Sequence, residues 1–108
     1  MRLLIFFAPL LLSACSTTIS PADLAATEPD STFSHNLLDQ VLGTHVDTEG
    51  RVDYAALKAR PERLDRYYAL VAAYSPDTHP HLFADESARL AYWINAYNTA
   101  VLKAVISN

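Results

Sequence analysis

Few side chains in this sequence could do chemistry, and the most reactive of them is a single thiol. Cys15 is the only cysteine among the 108 residues, so no internal disulfide can form. It ends the run Leu-Ser-Ala-Cys at residues 12–15. A thiol is the side chain that accepts a lipid through a thioether, and small residues before it let an extended backbone enter a peptidase cleft. Cys15 is therefore the first candidate for a chemical role.

Two amides, Asn95 and Asn98, form a second candidate, a polar site on a long helix. They lie three residues apart in a stretch with helical apolar spacing, so they are neighbours on one helix face. In a functional interpretation, one amide orients a catalytic group or binds the backbone of a ligand. In a structural interpretation, which we favour, buried amides hold an adjacent segment by hydrogen bonds.

The remaining polar groups fall short of a recognisable site. His79 and His81 offer two imidazoles, whereas zinc sites use about three or four ligands. Asp47, Glu49 and Asp53 surround a turn but lack the ligand positions and the closing glutamate of a calcium loop. We predict no metal, no cofactor and no catalytic constellation in this chain.

The segment before Cys15 has the three parts of a secretory signal peptide. Arg2 provides a positive start, residues 3–12 form an apolar core, and small residues precede the cysteine. One alternative is a retained transmembrane helix, but a span needs about 20 apolar residues and this run has about half that number. The other alternative is an ordinary secreted protein in which Cys15 is free.

Residues 12–15 resemble the lipobox of bacterial lipoproteins, in which an aliphatic and two small residues precede a cysteine. The resemblance implies that residues 1–14 are removed and that Cys15 is acylated on its sulfur and its new amine, which anchors the chain stably in a membrane. The residue after Cys15 is Ser16, so no aspartate stands at that position. That resembles the outer-membrane sorting pattern of enteric-type bacteria. We therefore expect a lipid-anchored cell-envelope protein, on the outer membrane facing the periplasm rather than on the inner membrane.

Residues 15–32 are expected to form the lipidated cysteine and a flexible tether. They are rich in Ser, Thr, Ala, Pro and acidic residues and show no apolar periodicity, although residues 21–26 could form a short helix. Cleavage before Cys15 removes Arg2, which leaves 7 basic side chains against 12 acidic ones and changes the net charge from −4 to −5. An acidic chain argues against a nucleic-acid partner.

Residues 33–108 are predicted to form one small, mainly α domain of about three helices. The helices are expected from a cap at Ser34, over residues 61–74, and from a cap at Asp85 to residue 106. At most a short β element is expected at residues 51–54, followed by a helical turn at residues 55–59.

The last helix is expected to carry a wide stripe of apolar residues at helical spacing. The predicted stripe comprises Leu90, Ile94, Tyr97, Val101 and Val105, with Trp93, Leu102 and Ile106 broadening it. Two short helices can barely cover residues 101–106. The sequence therefore predicts further cover, either an unknown protein partner or more chain of the same domain.

Residues 91–100, which include Trp-Ile-Asn-Ala-Tyr-Asn at 93–98, resemble the signature helix of domain-of-unknown-function family 547. Residues 51–57, Arg-Val-Asp-Tyr-Ala-Ala-Leu, resemble an upstream element of the same family. Thr99 stands where the family commonly has a small residue or alanine. Family members continue past this helix into a segment with cysteines, so the resemblance implies that residues 33–108 are the N-terminal part of such a domain. It implies no established activity.

The sequence is compatible with two functional hypotheses. In the first, the chain is a non-catalytic envelope protein whose exposed helix face binds a partner. In the second, it is the inactive N-terminal fragment of a papain-like or transglutaminase-like hydrolase whose catalytic cysteine lies beyond residue 108. The second hypothesis is an analogy between folds.

Overall fold

A computed structural model describes residue 29 and residues 31–108, and this part of the chain is mainly α-helical, as the sequence predicts. The predicted signal peptide, Cys15 and nearly all of the predicted tether lie outside the described residues. Within residues 31–108 the elements in chain order are α1 Asn36–His45, α2 Tyr54–Ala59, α3 Glu62–Ala73, a 3-10 turn Pro80–Leu82, and α4 Glu86–Ile106.

The first helix begins two residues later than its predicted cap. Ser34 Oγ accepts a hydrogen bond from the backbone N–H of Asn36 at 3.2 Å, so it still satisfies one of the free donors at the start of the helix. Gly43 lies inside α1 and does not end it. The helix ends after His45 because Val46 turns to an extended conformation, with φ −116° and ψ 127°.

A tight turn reverses the chain after α1. Asp47 Oδ1 accepts hydrogen bonds from the backbone N–H groups of Glu49 and Arg51, both at 2.9 Å, and Gly50 supplies the positive φ of 78° that the turn requires. The turn brings residues 46 and 52 together in an isolated antiparallel bridge. The short β element expected at residues 51–54 is therefore reduced to that one bridge.

A side-chain cap at Asp53 then starts α2. Its carboxylate accepts from the backbone N–H of Ala56 at 3.1 Å, and the predicted helical turn extends over Tyr54–Ala59. With α2, residues 31–108 contain four α-helices, whereas the sequence predicts about three. Leu57, in the middle of α2, is fully buried and fixes the short helix against the rest of the domain.

The two longer helices end close to their predicted limits. Pro61 lies just before α3 without a side-chain cap bond, and Tyr74 leaves the helix in an extended conformation. The carboxylate of Asp85 accepts from the backbone N–H of Ala88 at 2.8 Å, which confirms it as the cap of α4. Lys103 on α4 donates to Asp65 on α3, so an ion pair joins the two helices along their flank.

The core consists of two apolar clusters, one near each end of the domain. The first is formed by Phe33, Leu38, Tyr67, Leu82, Phe83 and Tyr92. The second is formed by Val41, Leu57, Leu64, Leu102 and Ile106. Each fully buried side chain of this size stabilises the fold by about 1.5–3 kcal/mol. The long helix α4 contributes to both clusters, so it positions the other elements.

Most of the predicted apolar stripe of α4 is left uncovered by the other helices. The buried residues of α4 are Tyr92, Thr99, Leu102 and Ile106. The predicted stripe residues Leu90, Ile94, Tyr97, Val101 and Val105 are all exposed. Tyr92 decides the rotation of the helix, because its ring packs edge-on against both Phe33 and Phe83 and its hydroxyl donates to the carbonyl of Val71.

A buried threonine supports the same rotation. Thr99 is fully buried, and its hydroxyl donates to the carbonyl of Asn95 one turn earlier at 2.7 Å. This local bond satisfies the hydroxyl inside the domain, so the residue packs there as a small apolar group would.

Candidate functional site

Three polar side chains from different segments meet at the centre of the domain. His35 precedes α1, Tyr67 lies in the middle of α3, and Asn95 lies in the middle of α4. The hydroxyl of Tyr67 is 2.7 Å from Nδ1 of His35, and the side-chain nitrogen of Asn95 is 3.1 Å from the same atom. We call these three residues the polar cluster.

The amide determines the protonation of the imidazole. The side-chain nitrogen of Asn95 can only donate, so Nδ1 of His35 must accept and the proton of the neutral ring lies on Nε2. Tyr67 then also donates to Nδ1. Burial lowers the pKa of His35, and the carboxylate of Asp39 opposes that shift in part. The acceptor role of Nδ1 and the burial both favour a neutral imidazole, whereas the Asp39 carboxylate favours the charged ring.

The tyrosine of the cluster is held in its protonated form as well. Tyr67 is fully buried, and this burial raises the pKa of its hydroxyl. The negative charge that Tyr92 and Asp39 would carry raises it further, whereas a hydrogen bond with Asn95 lowers it. A neutral phenol beside a neutral imidazole forms a stable hydrogen-bonded link between α3 and the start of α1.

In enzymes that use a nucleophile, a second side chain often orients the histidine that acts as the base, and the polar cluster matches that arrangement only in part. An amide does contact a histidine here, but the hydrogen-bond partners of that ring among the described residues are Tyr67 and Asn95, neither of them a serine or cysteine. Nucleophilic catalysis requires a hydroxyl or thiol that a substrate can also reach, and the side chain of Tyr67 is fully buried. The contacts of the polar cluster join three segments of the domain by hydrogen bonds.

The two predicted amides share a cavity but differ in their surroundings. Asn95 and Asn98 both line a cavity of about 310 Å³ whose other walls are apolar, among them Leu38, Val52 and Leu102. Asn95 is half-buried and is bonded into the polar cluster, whereas Asn98 is exposed. The structural interpretation therefore describes Asn95, and Asn98 remains a candidate for contact with a ligand.

Sequence reasoning missed His35 and Tyr67 as partners of Asn95. The histidine lies 32 residues from the tyrosine and 60 residues from the asparagine. No local spacing reports a contact over such separations. Their polar types alone gave no signal, because both residue types are common on surfaces.

The other residues considered as ligands have ordinary structural roles. His79 Nδ1 lies 2.8 Å from Thr78 Oγ1, and its ring packs edge-on against Tyr74 with the centroids 4.8 Å apart. Arg51 forms ion pairs with Asp47 and Glu49 across the turn. Within the described part of the chain, no group of three or more histidine, cysteine, aspartate or glutamate side chains is placed to hold a metal ion.

The most unusual surface of the domain is on α4, opposite its buried residues. Six large apolar side chains of this helix are exposed, and we call them the outer face. Their exposed fractions are Leu90 59%, Trp93 49%, Ile94 51%, Tyr97 71%, Val101 41% and Val105 41%.

The chain matches no family model, no curated protein and no solved structure. In the part of the chain that the structure describes, no helix has the length and apolar character needed to cross a membrane.

Proposed function

We propose that this chain is a lipid-anchored protein of the bacterial cell envelope, held in the membrane by acyl groups on Cys15, and that its helical domain binds a protein partner. The outer face of α4 is the observation that carries the binding role. The anchor is supported by the sequence of residues 1–16.

The anchor has two supports in the sequence. An apolar core too short for a stable span precedes small residues and a cysteine, which is the arrangement that a lipoprotein signal requires. The residue after the cysteine is Ser16, which favours the outer membrane, with the domain facing the periplasm.

The binding role is supported by the size and composition of the outer face. Its residues run from Leu90 to Val105, a distance of about 22 Å along the helix axis. Monomeric soluble proteins rarely expose contiguous apolar patches larger than a few hundred Å². Trp93 and Tyr97 are of the residue types that contribute most at protein interfaces. A partner with an apolar helix or groove would cover this stripe.

We also propose that residues 33–108 are related to domain-of-unknown-function family 547. The support is the Trp-Ile-Asn-Ala-Tyr-Asn sequence at residues 93–98 together with residues 51–57. In this chain Asn95 of the motif turns inward to the polar cluster, whereas Trp93, Ile94 and Tyr97 turn outward. One short motif therefore serves both the interior and the proposed interface.

Labelling with radioactive palmitate in a bacterial host tests the anchor. The wild-type chain should become labelled and lose residues 1–14, whereas a Cys15→Ser variant should stay unlabelled and keep its leader. The control is Ser13→Ala, which retains the cysteine and a small residue before it. A wild-type chain whose Cys15 sulfur is bare by mass spectrometry would refute the anchor.

Photo-crosslinking from the outer face tests the binding role. A photoreactive phenylalanine at position 97 should give a discrete protein adduct, identified by mass spectrometry, and the same group at Tyr68, an exposed tyrosine of α3, should not. Adding Leu90→Lys and Val101→Lys should abolish the adduct. Equal adducts from both positions, or none from position 97, would contradict the proposal.

A further inference from the structure

A cavity lined by three arginines lies on a different part of the domain from the outer face. It has a volume of about 380 Å³ and lies between the end of α1 and the start of α3. The buried side chain of Val41 forms part of its floor, and Thr44 and His45 line the α1 side. The arginines, Arg60, Arg63 and Arg66, line the α3 side. We call this the arginine cavity.

The concentration of positive charge there contrasts with the rest of the chain. The chain has a net charge of −4, and residues 31–108 contain 7 lysines and arginines, of which three line this one cavity. Arg63 and Arg66 lie three residues apart on α3 and are neighbours on one face of it, and Arg60 lies just before that helix.

Within residues 31–108, the three arginines have no acidic partner of the kind that Arg51 and Lys103 have. Arg51 pairs with Asp47 and Glu49, and Lys103 pairs with Asp65. Among residues 31–108, none of the three cavity arginines forms an ion pair or a side-chain hydrogen bond. Their donors are therefore available to a ligand.

Helix stability does not account for these charges. Arg63 lies in the first turn of α3, where the helix dipole favours negative groups over positive ones. The negative end of α1 also faces the cavity and would attract a cation. However, no guanidinium donates to an α1 carbonyl within the described residues. A bound anion would be favoured by the guanidinium groups and by the start of α3 together.

We propose that the arginine cavity binds a phosphate monoester, which has three unesterified oxygens. A guanidinium donates through a planar fork that matches two phosphate or carboxylate oxygens. A carboxylate offers its two oxygens to about one such fork, whereas a phosphate group can engage several forks. Three arginines around one cavity therefore fit a phosphate better than a carboxylate. The volume is also within the range of small-ligand sites, roughly 300–1,000 Å³.

Glu62 on the cavity wall gives this proposal a distinctive test. Its carboxylate lines the same cavity and repels an anion, so its removal should strengthen binding while removal of an arginine weakens it. Because Glu62 and Arg63 are adjacent, opposite changes in phosphate affinity when each is replaced would distinguish a specific anion site from a general effect on folding.

The experiment is an NMR titration of the full chain in a non-ionic detergent, followed by the backbone amide signals of Thr44 and His45. Two probes distinguish the source of the phosphate. Inorganic phosphate represents a soluble ligand, and phosphatidic acid mixed into the detergent micelles represents an anionic phospholipid whose phosphate is a monoester. We expect saturable shifts with at least one probe, and the probe that binds more tightly identifies the source.

The variants then give the expected pattern. Arg63→Gln and Arg66→Gln should each weaken binding about tenfold or more, as expected for loss of a hydrogen bond to a charged group. Glu62→Gln should tighten it about two- to threefold. The matched control Arg89→Gln removes an exposed arginine from α4, outside the cavity, and should change the affinity less than about twofold. Shifts that fail to saturate with both probes would overturn the proposal, as would equal weakening by Arg66→Gln and Arg89→Gln.

Discussion

At the scale of single residues, the polar cluster concentrates hydrogen-bonding groups inside a small domain. Among the described residues, no buried side-chain nitrogen or oxygen lacks a hydrogen-bond partner. A buried group that loses its partner costs about 1–3 kcal/mol, so each member of the cluster depends on the others. The hydrogen bonds of His35 depend on its protonation state, because both of its neighbours donate to Nδ1 and protonation of that atom would displace them.

The unfolding free energy is therefore predicted to fall in mildly acidic solution. Burial lowers the folded pKa of His35 below its ordinary value of 6.5, so the unfolded chain binds more protons in the interval below 6.5. The stability contributed by the neutral ring is present above pH 6.5 and is lost as the pH falls through the folded pKa. Urea unfolding between pH 5 and 8, roughly the range in which a histidine titrates, would measure this loss.

Two variants separate titration from simple loss of a hydrogen bond. His35→Gln keeps an acceptor but cannot titrate, so its unfolding free energy should depend less on pH than that of the wild type. Tyr67→Phe keeps His35 and should cost about 1 kcal/mol at neutral pH while the acid dependence persists. If His35→Gln and the wild type lose stability in parallel on acidification, the cluster is not the source of the effect.

At the scale of elements, the starts of α2 and α4 are determined by local bonds, but the sequence predicts only the start of α4. The sequence predicts Asp85 as the cap of α4, and its carboxylate accepts the N–H of Ala88. The sequence places Asp53 in a turn, whereas the same type of bond makes it the cap of α2. A cap involves residues about three positions apart, which explains why sequence patterns reveal it.

A capping prediction follows for the longest helix. Asp85→Ala should lower the unfolding free energy by about 1 kcal/mol, because the first turn of α4 loses its side-chain acceptor. Asp85→Asn keeps an acceptor and should lie close to the wild type. The two variants would be compared by thermal denaturation followed by circular dichroism. Equal losses in both would show that charge at the helix start, and not the cap bond, is what stabilises it.

The rotation of α4 could not be predicted from the same sequence. Apolar residues at helical spacing occur on two sides of this helix, one containing Tyr92 and Leu102 and the other containing Ile94 and Val101. Periodicity identifies each stripe but does not say which one is buried. The aromatic rings of Phe33 and Phe83 decide it by enclosing Tyr92, and those contacts are distant in sequence. Likewise, the sequence indicates the amide at position 95 as a candidate, whereas its partners depend on tertiary packing.

At the scale of the whole molecule, the outer face leaves the domain with more exposed apolar surface than a small domain can easily offset. Domains of this size already bury only about 60% of the surface of the unfolded chain. Here the longest helix has its four buried residues on one side and six large exposed apolar residues elsewhere. The hydrophobic effect favours covering those residues with any apolar surface available.

Residues 33–108 expressed alone are therefore predicted to self-associate or to be poorly soluble, with the outer face as the contact. Sedimentation velocity would show species larger than a monomer whose fraction rises with concentration. Leu90→Lys combined with Tyr97→Lys should restore a monomer, because two charges on the stripe oppose its burial. The charge-matched control, Ala55→Lys with Ala72→Lys, alters exposed positions on α2 and α3 and should still associate. A monodisperse monomer of the unaltered segment would mean that α4 tolerates its exposed stripe without cover, which would remove the physical basis for a partner on this helix.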